Sequence, residues 1–371
     1  MTTAQTRGDI APYLIVMPHQ EAVSEPSAYV LDTNVLIDVE RFYFGHRSMQ
    51  LAVAGSAPRS CREDLRRLLT AFAVRRVGGS VDLRYGFAAC EIGVHRDGSV
   101  DAAAYRTAVH AAQRVVAWTE AQVDRAFSNR HAPISRDDTY LLARPRPPMR
   151  HEHVMAMIGP SYGALLKITD LCGSAPRGGA AQIRRRLETY IDWMMDTLGI
   201  SLPYELRVAV ALAAGSRESE RKASKLLRFG GGSDADPDLL AARAWNAAWD
   251  LWFLRLAEGH TFGMLPAQHG GDEVAALLTR NHDPLWLREA GSIRALVGTG
   301  ADQHILTELR FDVREDSIGE AILGLLEEKL GGMPSLERLH RNPDEMSATA
   351  RRAIADLERE MGVSVLTGSR V

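Results

Sequence analysis

Paired cysteines are missing from this chain. Its three thiols, Cys61, Cys90 and Cys172, are spread over 371 residues without the short spacings of a zinc or redox pair. That excludes a disulfide framework and a cysteine-rich zinc site, and it suits a reducing, cytoplasmic setting. Also missing is any run apolar enough, for long enough, to span a bilayer. The patch APYLIVM (Ala11–Met17) lacks the basic flank, the longer apolar run and the small-residue cleavage site of a secretory signal, so a soluble protein with no membrane partner is expected. A dominant charge is absent as well: 44 Lys and Arg against 47 Asp and Glu leave a formal −3. With no global attraction to polyanions, binding of nucleic acid must come from local arginine patches or from metal ions that invert the local field. The chain holds no glycine-rich phosphate loop, nucleophile elbow or dinucleotide fingerprint, and no internal repeat. What it does hold is a hydrophobic share of 46%, enough to fill the core of one large or two medium domains.

Turn formers and polar residues dominate residues 1–27, which read as a leader, and the fold proper is expected to start at Ala28 with the strand-like YVL. An Arg-rich helical pattern runs from Gln50 to Arg76. Gly78, Gly79 and Ser80 break it, and Val81 to Val94 return to the core. Asp101 is placed to cap a long helix on which Tyr105, Val109, Ala112, Val116, Val123 and Phe127 recur at near-helical spacing. The proline-rich ARPRPPMR (Ala143–Arg150) and GSAPRGGA (Gly173–Ala180) are connectors. Helical runs Gln182–Leu198 and Tyr204–Arg228 end in the joint GGGSDADPD, so 101–229 is expected to be a mostly α-helical insertion or cap. Past the joint, helix Leu239–Glu258, the apolar runs Val274–Thr279 and Ile293–Val297, a helix over Ser347–Glu360 and the short VSVL alternate. Such alternation implies parallel α/β layers, with 28–100 and 238–371 as the two parts of one α/β core.

Acids punctuate the apolar runs of that core. Asp32 ends YVL and is followed by Thr33, Asn34 and VLI. In open α/β sheets ligands bind beyond the carboxyl ends of the strands, so an acid there faces the crevice; the alternative is a plain N-cap on the following helix. Glu91 interrupts GFAACEIGV, and a buried carboxylate must be paired, protonated or metal-bound; the alternative is the wet side of a helix, or a pair with Arg84 or Arg96. Asp250 lies on a helix whose core stripe is Trp245, Trp249, Trp252 and Leu256, within a neighbouring polar stripe of Arg243, Asn246 and Asp250, and solvation is the simpler fate of Arg243. A second strand end, at Thr279, leads into Arg280, Asn281, His282 and Asp283, where Asp283 could equally cap a helix before Pro284.

At these residues the chain resembles the PIN-domain family of metal-dependent nucleases. LDTNVLID matches that family's first motif closely, and the order Asp32, Glu91, Asp250, Thr279 follows the rest. The resemblance covers well under half of the chain, because the stretch between Glu91 and Asp250 is far longer than a compact member has there. It implies a Rossmann-like α/β core with a parallel sheet flanked by helices. It also implies a carboxylate cluster holding Mg²⁺ or Mn²⁺ and hydrolysis of phosphodiester bonds, with RNA placed ahead of DNA as substrate. Asp32, Glu91 and Asp250 would be the metal ligands, with Asp283 the fourth catalytic acid and Asn34, Thr279, Asn281 and Asn246 in support. The family's fourth acid falls here on Asn281, and Asp302, after IRALV, is an alternative. A non-catalytic PIN-like scaffold that binds RNA or protein is the second expectation. An inhibitor protein and a second copy of the chain both stay open as partners.

Other signals weigh less. His151, Glu152 and His153 lack the i, i+4 spacing of a helical zinc motif. Arg125 and His131 have the Arg-to-His spacing of another ribonuclease class, the HEPN family, as a weaker alternative. The clusters Arg184, Arg185, Arg186 and Arg144, Arg146, Arg150 could meet phosphates, although a solvated helix face and an exposed loop explain them as well.

Overall fold

The computed structural model describes residues 13–16, 26–45, 61–78, 82–128, 149–172, 179–200, 202–229, 236–261, 274–281, 283–297, 304–330 and 343–364. The chain is mostly helical, with a small parallel sheet. It forms two compact units, each discontinuous in sequence: Met1–Arg150 with Phe253–His282, and His151–Trp252 with Asp283–Val371.

The first unit is built on four strands: β1 (Leu14–Val16), β2 (Ala28–Leu31), β3 (Asp82–Arg84) and β4 (Ala275–Thr279), in the order β1-β4-β2-β3. β2 lies parallel to both β3 and β4, while β1 runs antiparallel along the outer edge of β4. Every residue of β2 and β4 is buried, which is what continuous apolar runs such as AYVL and AALL require of strands covered on both faces. Strand β1 corrects the expectation of a plain leader before Ala28: within APYLIVM, Leu14, Ile15 and Val16 pair with Thr279, Leu278 and Leu277. Helix α1 (Thr33–Tyr43) follows β2 directly, α2 (Cys61–Gly78) precedes β3, and α3 (Gly86–Gly93) follows it.

The long helix expected from Asp101 is two helices, α4 (Ala102–Val116) and α5 (Glu120–Ser128). Asp101 does cap the first, accepting from the backbone N–H groups of Ala103 and Ala104. A capping box opens the second: the Thr119 N–H donates to Gln122 Oε1, and the Gln122 N–H to Thr119 Oγ1. Ala111, Val115, Val123 and Phe127 of this pair join Tyr29, Leu31, Val35, Val39, Leu65 and Phe72 in one core. The residues expected to begin an insertion at 101 therefore complete the first unit.

In the second unit α6 (His151–Cys172), α7 (Ala180–Asp192), a short π-helix (Trp193–Leu198), α8 (Pro203–Ala214), α9 (Arg217–Leu226) and the first part of α10 (Pro237–Thr261) are followed by α11 (Asp283–Ala290), β5 (Gly291–Val297), β6 (His304–Leu309), α12 (Ser317–Leu330) and α13 (Pro343–Met361). The expected helix Tyr204–Arg228 is divided at Gly215, where a Cβ would lie 2.4 Å from Ala211 O, and Ser216 caps the next helix. The apolar run ending at Val297 does not extend the parallel sheet; β5 pairs antiparallel with β6 as a separate two-stranded sheet. Of the stripe expected on α10, Trp245, Trp249 and Leu256 are buried and Trp252 is half-buried, while Arg243, expected to be solvated, is buried.

Candidate metal centre

Parallel register dictates the first contact. Leu31 pairs with Leu278, so one step further along both strands Asp32 and Thr279 share a row just past the carboxyl edge of the sheet. The Asp32 N–H donates to Leu278 O at 2.9 Å. The Thr279 hydroxyl donates to Asp32 Oδ2 at 2.5 Å, and the Asn34 amide adds a longer bond of 3.4 Å to the same oxygen. Thr279 Oγ1 in turn accepts from the Asn281 N–H at 2.8 Å.

Asp32 occupies the N-cap position of α1 with an extended backbone, yet its side chain makes no capping bond. The backbone N–H groups of Thr33 and Asn34 still face the carboxylate, but its shortest bond is the one from Thr279. Only 3% of Asp32 is exposed and Thr279 is fully buried. Burial pushes the Asp32 carboxyl above its ordinary value, and the side-chain bonds from Thr279 and Asn34, with the backbone N–H groups of Asn34 and Thr33, pull it partway back. No arginine or lysine is bonded to Asp32 among the described residues, so its negative charge has hydroxyl and amide donors and the positive end of the α1 dipole, but no cationic side chain.

Glu91 arrives by the neighbouring route. β3 ends level with β2, Val30 opposite Arg84, and the chain turns through Tyr85 into α3. On that helix Glu91 is half-buried and accepts a short hydrogen bond from the Thr33 hydroxyl. Arg84, one of its two expected partners, is bonded to Asp82 at 2.9 Å. α3 is seated tightly on α4 because Gly93 has no side chain: a Cβ there would stand 2.6 Å from Cβ of Tyr105.

Asp32, Asn34, Thr279 and Asn281 are thus joined in one hydrogen-bonded chain, with Glu91 tied to the adjacent Thr33. Asp250, Asn246 and Asp283 belong to the second unit, where Asp250 is half-buried and Asn246 exposed on α10, and Asp283 is the first residue of α11. Asp302 lies outside the described residues, as do His131, Arg144 and Arg146. Among the described residues no three of His, Cys, Asp and Glu gather around one point as metal ligands. Two carboxylates are nevertheless the set that suits magnesium or manganese, hard cations that keep several waters and take one or two protein carboxylates plus substrate phosphates. The buried carboxylate of Asp32, which is bonded to no cationic side chain among the described residues, is the feature a cation would satisfy.

Sequence reasoning missed three participants. Thr33 was read only as part of a motif. Asp38, 2% exposed on α1, accepts from Tyr13 Oη at 2.9 Å and from Arg280 Nη1 at 2.8 Å. An acid within the buried row of Val35, Leu36 and Val39 was the signal for Asp38, and Arg280's place beside Thr279 the signal for its partner.

Elsewhere, His151 stacks on Trp245 while Glu152 and His153 are exposed on the first turn of α6. Arg125 and Arg150 are exposed, and Arg184 is bonded to Glu328 at 2.7 Å. Among the described residues no helix is long and apolar enough to cross a membrane. Compared with protein-family models, curated proteins and solved structures, the chain matches none.

Proposed function

We propose that the chain is a metal-dependent nuclease of the PIN type, a ribonuclease that hydrolyses phosphodiester bonds with Mg²⁺ or Mn²⁺ on a Rossmann-like core. One observation supports this above the rest: Asp32 is a buried carboxylate with no cationic side-chain partner among the described residues, fixed at the carboxyl edge of a parallel sheet by Thr279 and one residue from the Thr33 hydroxyl that holds Glu91. Asp32 and Glu91 would hold the ion. Thr279 and Asn34 fix the direction of the Asp32 carboxylate, Thr33 does the same for Glu91, and Asn281 orients the Thr279 hydroxyl by donating to it. The N–H groups that open α1 offer the positive end of a helix to a phosphate. When bound, a divalent cation supplies Lewis acidity toward water and phosphate.

A second reading, a PIN-like scaffold that binds RNA or protein without cutting, is favoured by the absence of a third acid beside Asp32 and Glu91 among the described residues. One assay separates the two: labelled RNA and DNA incubated with wild type and Asp32→Asn in Mn²⁺, Mg²⁺ or EDTA. The nuclease reading expects RNA cleavage that EDTA stops and that the variant loses by about a hundredfold or more, with its circular dichroism unchanged. Metal-independent RNA binding without cleavage would favour the scaffold. Undiminished cleavage by a folded Asp32→Asn protein would remove Asp32 from the chemistry.

A further inference from the structure

The two buried acids at the N-cap of α1 and within it, Asp32 and Asp38, are treated differently by the fold. Asp32 is met by hydroxyl and amide donors, whereas Asp38 has a full ion pair with Arg280 and a tyrosine hydroxyl besides. Arg280 stands between Thr279 and Asn281, the two residues of β4's end that are bonded into the Asp32 site. Its side chain is 32% exposed, against 3% for that of Asp38. Along α1, Asp32 and Asp38 are separated by roughly 9 Å of helix axis at 1.5 Å per residue. A guanidinium carries five N–H donors in a planar fork, and the part of this side chain that is open to solvent is where a phosphate could reach it.

We infer that Arg280 contacts a phosphate of the nucleic-acid strand next to the Asp32 site, and that Asp38, itself bonded by Tyr13, helps to position it. The inference rests on the nuclease reading for its substrate class. Asp38 lowers the conformational freedom of a long side chain and fixes the plane of its fork, which is what recognition of a phosphate at a set distance requires. Tyr13 brings the strand before Ala28 into the arrangement, since its hydroxyl reaches Asp38 from just ahead of β1.

The test is equilibrium binding of a labelled single-stranded RNA in EDTA, where metal-dependent cleavage is off, as a function of salt. Arg280→Gln is expected to weaken binding about tenfold and to lower the slope of log affinity against log salt by about 0.7, the loss of one phosphate contact on a single strand. Arg280→Lys should restore the slope but only part of the affinity, because charge is kept and the fork is lost. Asp38→Asn discriminates positioning from simple electrostatics: it makes the locality more positive, so a purely electrostatic role predicts tighter binding, whereas positioning predicts weaker binding at an unchanged slope. If that variant does not fold, Tyr13→Phe decides, with a smaller loss of affinity expected. Wild-type affinity and slope in Arg280→Gln, or tighter binding by Asp38→Asn, would overturn the inference, as would the absence of RNA binding by the wild type. Cleavage lost in Asp32→Asn with binding unchanged in Arg280→Gln leaves the nuclease reading standing without this contact. Normal cleavage in Asp32→Asn with binding lost in Arg280→Gln leaves the contact without that reading.

Discussion

Asp32 shows how little of a side chain's role is fixed by its place in the sequence. A strand-to-helix junction puts an acid at an N-cap, and that is where its backbone stands, but the carboxylate is drawn to Thr279 because parallel register brings the hydroxyl into its row. Replacing Thr279 by valine keeps the shape and removes the donor. It should cost about 1–3 kcal/mol in urea unfolding, because the buried oxygen loses the shorter of its two side-chain bonds; an unchanged midpoint would mean that the bond carries no stability. The charge itself has a pH signature. Burial raises the folded-state pKa of Asp32 above the unfolded value of 3.8, so the contribution to stability is full below that value and is lost as pH rises through the folded one. Asn at this position has no such loss. In EDTA at neutral pH the Asp32→Asn variant should therefore melt no lower than wild type, and the gap should narrow toward pH 3.8; a wild-type advantage that grows with pH would contradict this. Asp38 was missed because an acid on an amphipathic helix reads as a surface residue, although it falls within the buried row of Val35, Leu36 and Val39, and its partner Arg280 lies far along the chain.

Elements were legible where local chemistry sets them and obscure where partners do. The all-apolar AYVL and AALL identified β2 and β4, and the Asp101 cap was visible from the helix it opens. The break between α4 and α5 was also written in the sequence, as the capping box Thr119 to Gln122, but the hydrophobic stripe runs through both helices and concealed it. Strand β1 and the β5–β6 hairpin could not be placed by pattern, because a short apolar run does not say which strand it pairs with or in which direction. Gly93 is the element-level constraint on the site. Its replacement by alanine would drive Cβ into Tyr105 and shift the helix that carries Glu91. A loss of about 1–3 kcal/mol is expected from overpacking, with weaker metal binding in the folded protein; wild-type stability in a denaturant titration would show that α3 can move away at no cost.

At the scale of the molecule, the alternation of helices and strands after Pro237 suggested one α/β core interrupted by a helical insertion, while the chain divides into two units whose changes fall at Arg150, Trp252 and His282. A helical stripe tells that a face is buried, not which neighbour buries it, and so α4 and α5 could not be assigned to the first unit from their pattern alone. The candidate site, by contrast, is built from segments that the sequence marked: LDTN, GFAACEIG and LLTRN, all in the first unit. An ion that binds only the folded site raises stability by mass action, about 2.7 kcal/mol at a hundred times its Kd. The most direct test is a calorimetric Mn²⁺ titration of wild type, Asp32→Asn and Glu91→Gln, each confirmed as folded. A metal centre on Asp32 and Glu91 predicts saturable binding by the wild type that is weakened about tenfold or more in both variants; Mn²⁺ binding of equal affinity in all three proteins would contradict it.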